Sequence, residues 1–204
     1  MPTILDVSEF IPRKLLPVFC VLDIPMSMDE DQITRVNTIM LEMVDLLREK
    51  ANKLYSSELR IAVLQSYGTS QWLTDGLISP EDFSWQGLKA SGASNFGNTL
   101  NELNEKLSRE EFLDNPGGFK VPVIIFMNGN GPKDDYELAL NKIKSTNKWF
   151  KVSTKILAAV GNDANVQVLQ EITGNKEAVI KVNDEESTKS FMEIIRKAME
   201  THRY

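Results

Sequence analysis

The chain has 204 residues, a length that suits one domain of ordinary size. At 42% hydrophobic and 25% charged residues it has the composition of a globular protein, and a net charge of −6 with no cluster of Lys and Arg argues against binding of a phosphate backbone. A single cysteine, Cys20, rules out an internal disulfide, and one cysteine with one histidine rules out a Cys/His zinc site.

Met1 to Asp6 lack the basic and apolar regions of a secretory signal, and no apolar run approaches membrane-spanning length. The expected location is therefore cytoplasmic, with neither nucleic acid nor membrane as a partner. Residues 1–15 read as a lead-in, where Pro2 and Pro12 oppose a long helix. Residues 16–204 read as a single domain.

The first strand is expected over Pro17–Asp23, within the run Leu16-Pro17-Val18-Phe19-Cys20-Val21-Leu22-Asp23. It shows no polar alternation, as in a strand buried on both faces of a parallel sheet. Cys20 lies within it and reads as a buried, inert thiol. The run ends abruptly at Asp23, Pro25 and Ser27, where open α/β sheets keep their ligand sites. A helix follows over Asp29–Leu54, with Ile33, Val36, Met40, Met43, Val44 and Leu47 spaced by three and four. Asp29, Glu30 and Asp31 in its first turn read as capping residues that suit the helix dipole.

Leu59–Gln65 is a second strand, and Gln71–Leu77 a third that returns as a hairpin through Tyr67-Gly68-Thr69-Ser70. Residues 78–95 form a long irregular segment of a kind that is often functional, in which Trp85 reads as a packing anchor. A helix over Asn98–Leu107, a strand over Val121–Met127 and a helix from about Pro132 to Asn147 come next. Val152–Val160 is the fifth strand, followed by a helix over Asn162–Ile172 with Gly174 as its left-handed cap. Ala178–Val182 is the sixth strand and Ser187–Thr201 the last helix. Trp149-Phe150 reads as core packing rather than a surface patch. This alternation predicts an α/β domain with a mainly parallel six-stranded sheet, one short antiparallel edge strand, and helices on both faces.

Several stretches taken in order resemble a von Willebrand factor type A (vWA) domain. Asp23-Ile24-Pro25-Met26-Ser27 resembles the Asp-x-Ser-x-Ser loop, with Pro25 in place of the middle serine. Leu88-Lys89-Ala90-Ser91-Gly92-Ala93-Ser94-Asn95-Phe96-Gly97 resembles the loop that offers a threonine, with Ser94 in its place. Val123-Ile124-Ile125-Phe126-Met127-Asn128-Gly129 resembles the strand that ends in Thr-Asp-Gly, with Met127 and Asn128 replacing Thr-Asp. Lys133-Asp134-Asp135-Tyr136 resembles the acidic start of the next helix. The likeness extends from about Leu16 to Met199 and is similar in particular to bacterial vWA proteins of the tellurium-resistance type. It implies a three-layer, doubly wound, Rossmann-like fold.

In the family, these loops build a metal-ion-dependent adhesion site (MIDAS) that holds a divalent cation and often takes a partner's carboxylate. The corresponding residues here are Asp23, Ser27, Ser94 and Asn128. Mg²⁺ wants six hard oxygens in an octahedron. Pro25 offers no side-chain oxygen and Asn128 no charge, so one formal negative charge remains at motif positions that normally carry two. Asp29, Asp31, Asp134 and Asp135 are further acids that could assist through water.

The expected function is a non-enzymatic module that binds another protein in a bacterial stress-response or signalling assembly, with a degenerate site that takes Mg²⁺ weakly or not at all. One alternative is a working Mg²⁺-dependent MIDAS. Another is a structural subunit that binds through its helical faces. An enzyme is not expected: Gly129-Asn130-Gly131 is only a fragment of a dinucleotide turn, no Walker loop or Gly-x-Ser-x-Gly elbow occurs, and the only histidine is His202 near the end of the chain.

Overall fold

Strand β1 (Lys14–Asp23) lies in the middle of the sheet, and its burial explains its composition. From Leu16 to Asp23 every residue is buried. In the computed structural model, which describes residues 12–54, 56–89, 92–129, 131–132, 134–162 and 164–201, β1 pairs in parallel with both β2 (Ser57–Tyr67) and β4 (Val123–Asn128). Residues 1–11, Ala90, Ser91, Asn130, Lys133 and His202, all used in the sequence reading, lie outside the described residues.

The remaining strands are β3 (Thr69–Trp72), β5 (Thr154–Val160) and β6 (Val179–Val182), giving the order β3-β2-β1-β4-β5-β6. Only β3 runs antiparallel, on β2. The fold class expected from the sequence is therefore observed. Helices α1 (Glu30–Ala51) and α6 (Glu185–Thr201) cover one face, and α2 (Phe96–Lys106), α3 (Tyr136–Thr146), α4 (Lys148–Val152) and α5 (Val166–Thr173) cover the other.

Alternate residues of β1 feed two separate cores. Val18, Cys20 and Leu22 pack with Val36, Met40 and Met43 of α1 and with Phe191 and Ile195 of α6. Phe19 and Val21 pack with Phe96 and Leu100 of α2, Ile143 of α3 and Leu169 of α5. Each fully buried side chain of this size contributes about 1.5–3 kcal/mol before entropy is subtracted. Cys20 is fully buried, and its thiol is pushed far above the ordinary range by desolvation, in keeping with an inert core residue.

Asp29 caps α1 in a reciprocal capping box. Gln32 N–H donates to Asp29 Oδ1 at 2.8 Å, and Asp29 N–H donates to Gln32 Oε1 at 2.8 Å. The Gln32 amide also donates to the Val160 carbonyl at 3.1 Å, so the cap ties α1 to the end of β5. Gly174 caps α5 with φ 71°, as expected.

Most boundaries shift by a few residues from the sequence reading, as at β1, which starts at Lys14, and α6, which starts at Glu185; four differences have a local cause. The hairpin turns at Gly68 (φ 71°), so β3 starts at Thr69 and ends at Trp72. Pro132 is not an early helix residue, because α3 begins only at Tyr136. Val152, expected to open the fifth strand, instead ends the short helix α4, since the Asn147 side chain accepts from Phe150 N–H and restarts the helix. α5 starts at Val166, with Asn165 as its cap.

The long segment is clamped along α1. Asn37 accepts from Leu88 N–H (2.7 Å) and Trp85 Nε1–H (3.2 Å) and donates to the Leu88 carbonyl (3.1 Å). Arg48 donates to the carbonyls of Pro80 and Phe83. Trp85 is partly buried against the core, as a packing anchor should be. Trp149 also packs against the core, beside the buried Phe150.

Candidate functional site

Parallel register brings the polar residues together. Asp23 ends β1 directly opposite Ser66 on β2 and Asn128 on β4. Ser94 arrives from the loop before α2. Its hydroxyl donates to Asp23 Oδ2 at 2.8 Å, and the Asn128 amide donates to the same oxygen at 2.7 Å. All four side chains are buried, and Asp23 is only 1% exposed.

Burial pushes the Asp23 carboxyl up to about 6, because desolvation penalises its charged form. The Ser94, Ser66 and Asn128 groups oppose that change, and the negative charge of Asp134 adds to it. The Ser66 hydroxyl is near enough to favour the charge but makes no hydrogen bond of standard geometry. Asp23 Oδ1, Asn128 Oδ1 and Ser66 Oγ are all buried without a hydrogen-bond partner. The carboxylate is thus saturated on one oxygen and bare on the other.

Ser27 stands apart from the others in its setting. It is exposed in the turn after β1, next to Met26, which is 72% exposed. Backbone bonds knit the surrounding loops into one platform. Met26 N–H donates to the Gly92 carbonyl (2.8 Å), Gly68 N–H to Ala93 (2.7 Å), Gly129 N–H to Asp23 (3.3 Å) and Asn165 N–H to Gly129 (3.1 Å).

Asp134 serves α2. Its two carboxylate oxygens accept from Phe96 N–H (3.1 Å) and Gly97 N–H (2.6 Å), while Asn95, the formal cap residue, makes no side-chain capping bond. Gly97 allows this approach, since a Cβ there would lie 2.7 Å from Asp134 Oδ2. Asp134→Ala should cost about 1–2 kcal/mol, the value of a lost helix cap, and speed hydrogen exchange at the amides of Phe96 and Gly97.

The oxygens a hard divalent cation would need are only partly free here: Asp23 Oδ1, Asn128 Oδ1 and Ser66 Oγ lack hydrogen-bond partners, while Asp23 Oδ2 does not. Among the described residues no group of three or more His, Cys, Asp or Glu side chains is placed to hold a metal. Asp23 Oδ2 is already occupied by two donors, one of them an amide N–H that would face the ion with its positive end. Asp134, whose charge acts on Asp23, is committed to two backbone N–H groups. Ser94 itself is 3% exposed, and its hydroxyl is engaged with the Asp23 carboxylate.

The sequence matches no family model and no curated protein. Solved structures do match. Proximal thread matrix protein 1 from the mussel byssus superposes with a TM-score of 0.64 at 16% identity, over 91% of this chain and 48% of that one. A von Willebrand factor type A structure from Catenulispora acidiphila gives 0.59 at 14% identity, over 92% and 43%. This is a vWA fold. BatB from Bacteroides thetaiotaomicron gives 0.55 at 15% identity, over 91% of this chain and 99% of that one. The vWA-like chain therefore spans about half the length of the first two structures. Another structure of the mussel protein is described as having a zinc-occupied MIDAS motif.

Of the four residues singled out in the sequence, three meet at one carboxylate oxygen and Ser27 lies at the surface beside them. Ser66 is not among the four. Its position at the end of the second strand, level with Asp23, becomes visible only once the two strands are aligned in parallel.

Proposed function

We propose that this chain is a non-catalytic protein-interaction module of vWA type whose contact surface is the loop platform around Asp23, and that the platform works without a metal. The observation that carries this reading is the platform itself. The loops after β1 and β4, the Gly68 turn and the segments before α2 and α5 are joined by backbone bonds, with Met26 exposed among them and a hydrogen-bonded Asp23–Ser94–Asn128 cluster buried beside it. A rigid platform with an exposed apolar tip avoids the entropy cost of ordering loops on binding. Exposed Asp29, Glu30, Asp31 and Asp135 around it favour a partner with basic groups. The motif resemblance favours a cytoplasmic bacterial stress-response or signalling assembly of the tellurium-resistance type.

The test has two arms. Calorimetry with Mg²⁺ and Mn²⁺ should show no saturable binding up to millimolar metal; binding abolished by Ser94→Ala would restore a working MIDAS. Proteins captured by the wild type should be lost with Met26→Asp and kept with Leu138→Asp, a charge placed on the exposed face of α3. The reverse pattern would place the contact on the helical faces instead.

A further inference from the structure

At the opposite end of the sheet, near the start of β5, three lysines line one cavity. Lys144, Lys151 and Lys155 surround a space of about 370 Å³ with Phe150, Ser153, Ile172 and Thr173. That volume is within the range of small-molecule pockets. Phe150 and Ile172 are buried and form an apolar floor. No carboxylate lines the cavity, and none of the three ammonium groups forms a salt bridge among the described residues. Glu171 lies close, but its carboxylate accepts from Tyr136 Oη–H and Gln167 Nε2–H.

Each lysine instead donates to main-chain carbonyls. Lys144 binds Glu171 O at 2.7 Å near the end of α5, and Lys151 binds Ser145 O at 2.7 Å near the end of α3. Lys155 binds the carbonyls of Phe150 and Ser153 at α4 and lies 4.5 Å from the Phe150 ring centre. Capping of helix ends accounts for a lysine at any one of these positions. It does not balance three of them at one cavity, because a helix C-terminus carries only about half a negative charge. A chain of net charge −6 thus places three lysines around one cavity whose own lining holds no carboxylate. At Lys155 the ammonium is pushed down to about 8, first by desolvation and in smaller part by the charge of Lys144.

We propose that this pocket is a binding site for a small phosphate-bearing anion, held by Lys144, Lys151 and Lys155 over the Phe150–Ile172 floor. An ammonium has three N–H groups, so each lysine keeps at least one donor for the ligand while capping its helix. A dianion also relieves the mutual repulsion of Lys144 and Lys155, and its negative charge draws the Lys155 ammonium back toward its ordinary range.

The test is a titration of the full chain with inorganic phosphate and with phenyl phosphate at constant ionic strength. Amide and lysine side-chain signals are followed by NMR. Saturable shifts should centre on Lys144, Lys151, Lys155 and Thr173, and bound phosphate should raise the Lys155 titration midpoint. Tighter binding of phenyl phosphate would identify a monoester that uses the apolar floor, whereas equal binding would identify the free anion. Lys155→Met should weaken binding more than tenfold. Lys151→Gln, at an exposed position that leaves folding intact, should weaken it about threefold to tenfold, and Asp23→Asn should leave it unchanged. Linear, unsaturated shifts, or binding unaffected by Lys151→Gln, would overturn the site.

Discussion

Asp23→Asn should make the protein more stable at pH 7, by about 3 kcal/mol, and the gain should vanish near pH 4. The folded-state carboxyl titrates at about 6 and the unfolded one at 3.8, so between these values the native state binds more protons than the unfolded state. Stability due to this group therefore falls as pH rises from about 4 to above 6. A gap of about two pH units between the folded and unfolded midpoints corresponds to about 3 kcal/mol. Asparagine removes the charge while its oxygen still accepts from Ser94 and Asn128, and its amide supplies a donor beside the unpartnered Ser66 oxygen. Urea denaturation of both proteins at pH 4, 5, 6 and 7 checks the expectation, since other titrating groups cancel in the comparison. A large loss of stability at pH 7 would mean that the carboxylate is held by a cation after all. The expected gain has a counterpart in function. Under the function proposed above, the same substitution is expected to alter the platform's partner contact.

Gly161→Ala should destabilise by about 3 kcal/mol. Gly161 follows β5 with φ 99°, in the region that L side chains rarely adopt, and holds its place by donating to the Val182 carbonyl at 3.1 Å. The backbone strain alone costs about 1–2 kcal/mol. A Cβ would also lie 1.8 Å from Gln32 Nε2 and 2.7 Å from its Cδ. Gln32 cannot simply step aside, because its side chain makes the capping box of α1 and the bond to Val160 O. Losing those bonds adds about 1–2 kcal/mol. Gln32→Ala removes the obstacle, so the double variant should be less destabilised than the sum of the single ones by about 1 kcal/mol. Strict additivity, measured by thermal or urea unfolding, would show that the amide and the glycine do not share this space.

What is legible in the sequence follows from where burial is two-sided. β1, β2 and β4 are central strands, so their apolar runs are unbroken and hard to mistake. Asp29 is readable as a cap because its partner Gln32 is three residues away. Most of the misreadings involve partners distant in sequence, and one, at Asn147, is local. Asp134 caps a helix that begins at Phe96, and no local pattern announces that. α4 is a second start made by Asn147 within what reads as a run into the fifth strand. Ser66 matters only through its register with Asp23. The exposed Ser27 and the buried Ser94 are both plain serines in their loops, and only tertiary packing separates them.

The sheet order also governs the protein's birth. β1 needs partners on both edges, and while β2 begins at Ser57, the register of β4 pairs Val18 with Val123. At typical synthesis rates the roughly hundred residues between them take on the order of 5–20 s to emerge. Throughout that interval the first strand waits with at least one edge of backbone N–H and C=O groups unpaired, so the nascent chain is open to mispairing with its neighbours on a polysome. The central position that makes β1 the most protected strand of the finished domain makes it the most exposed one during translation.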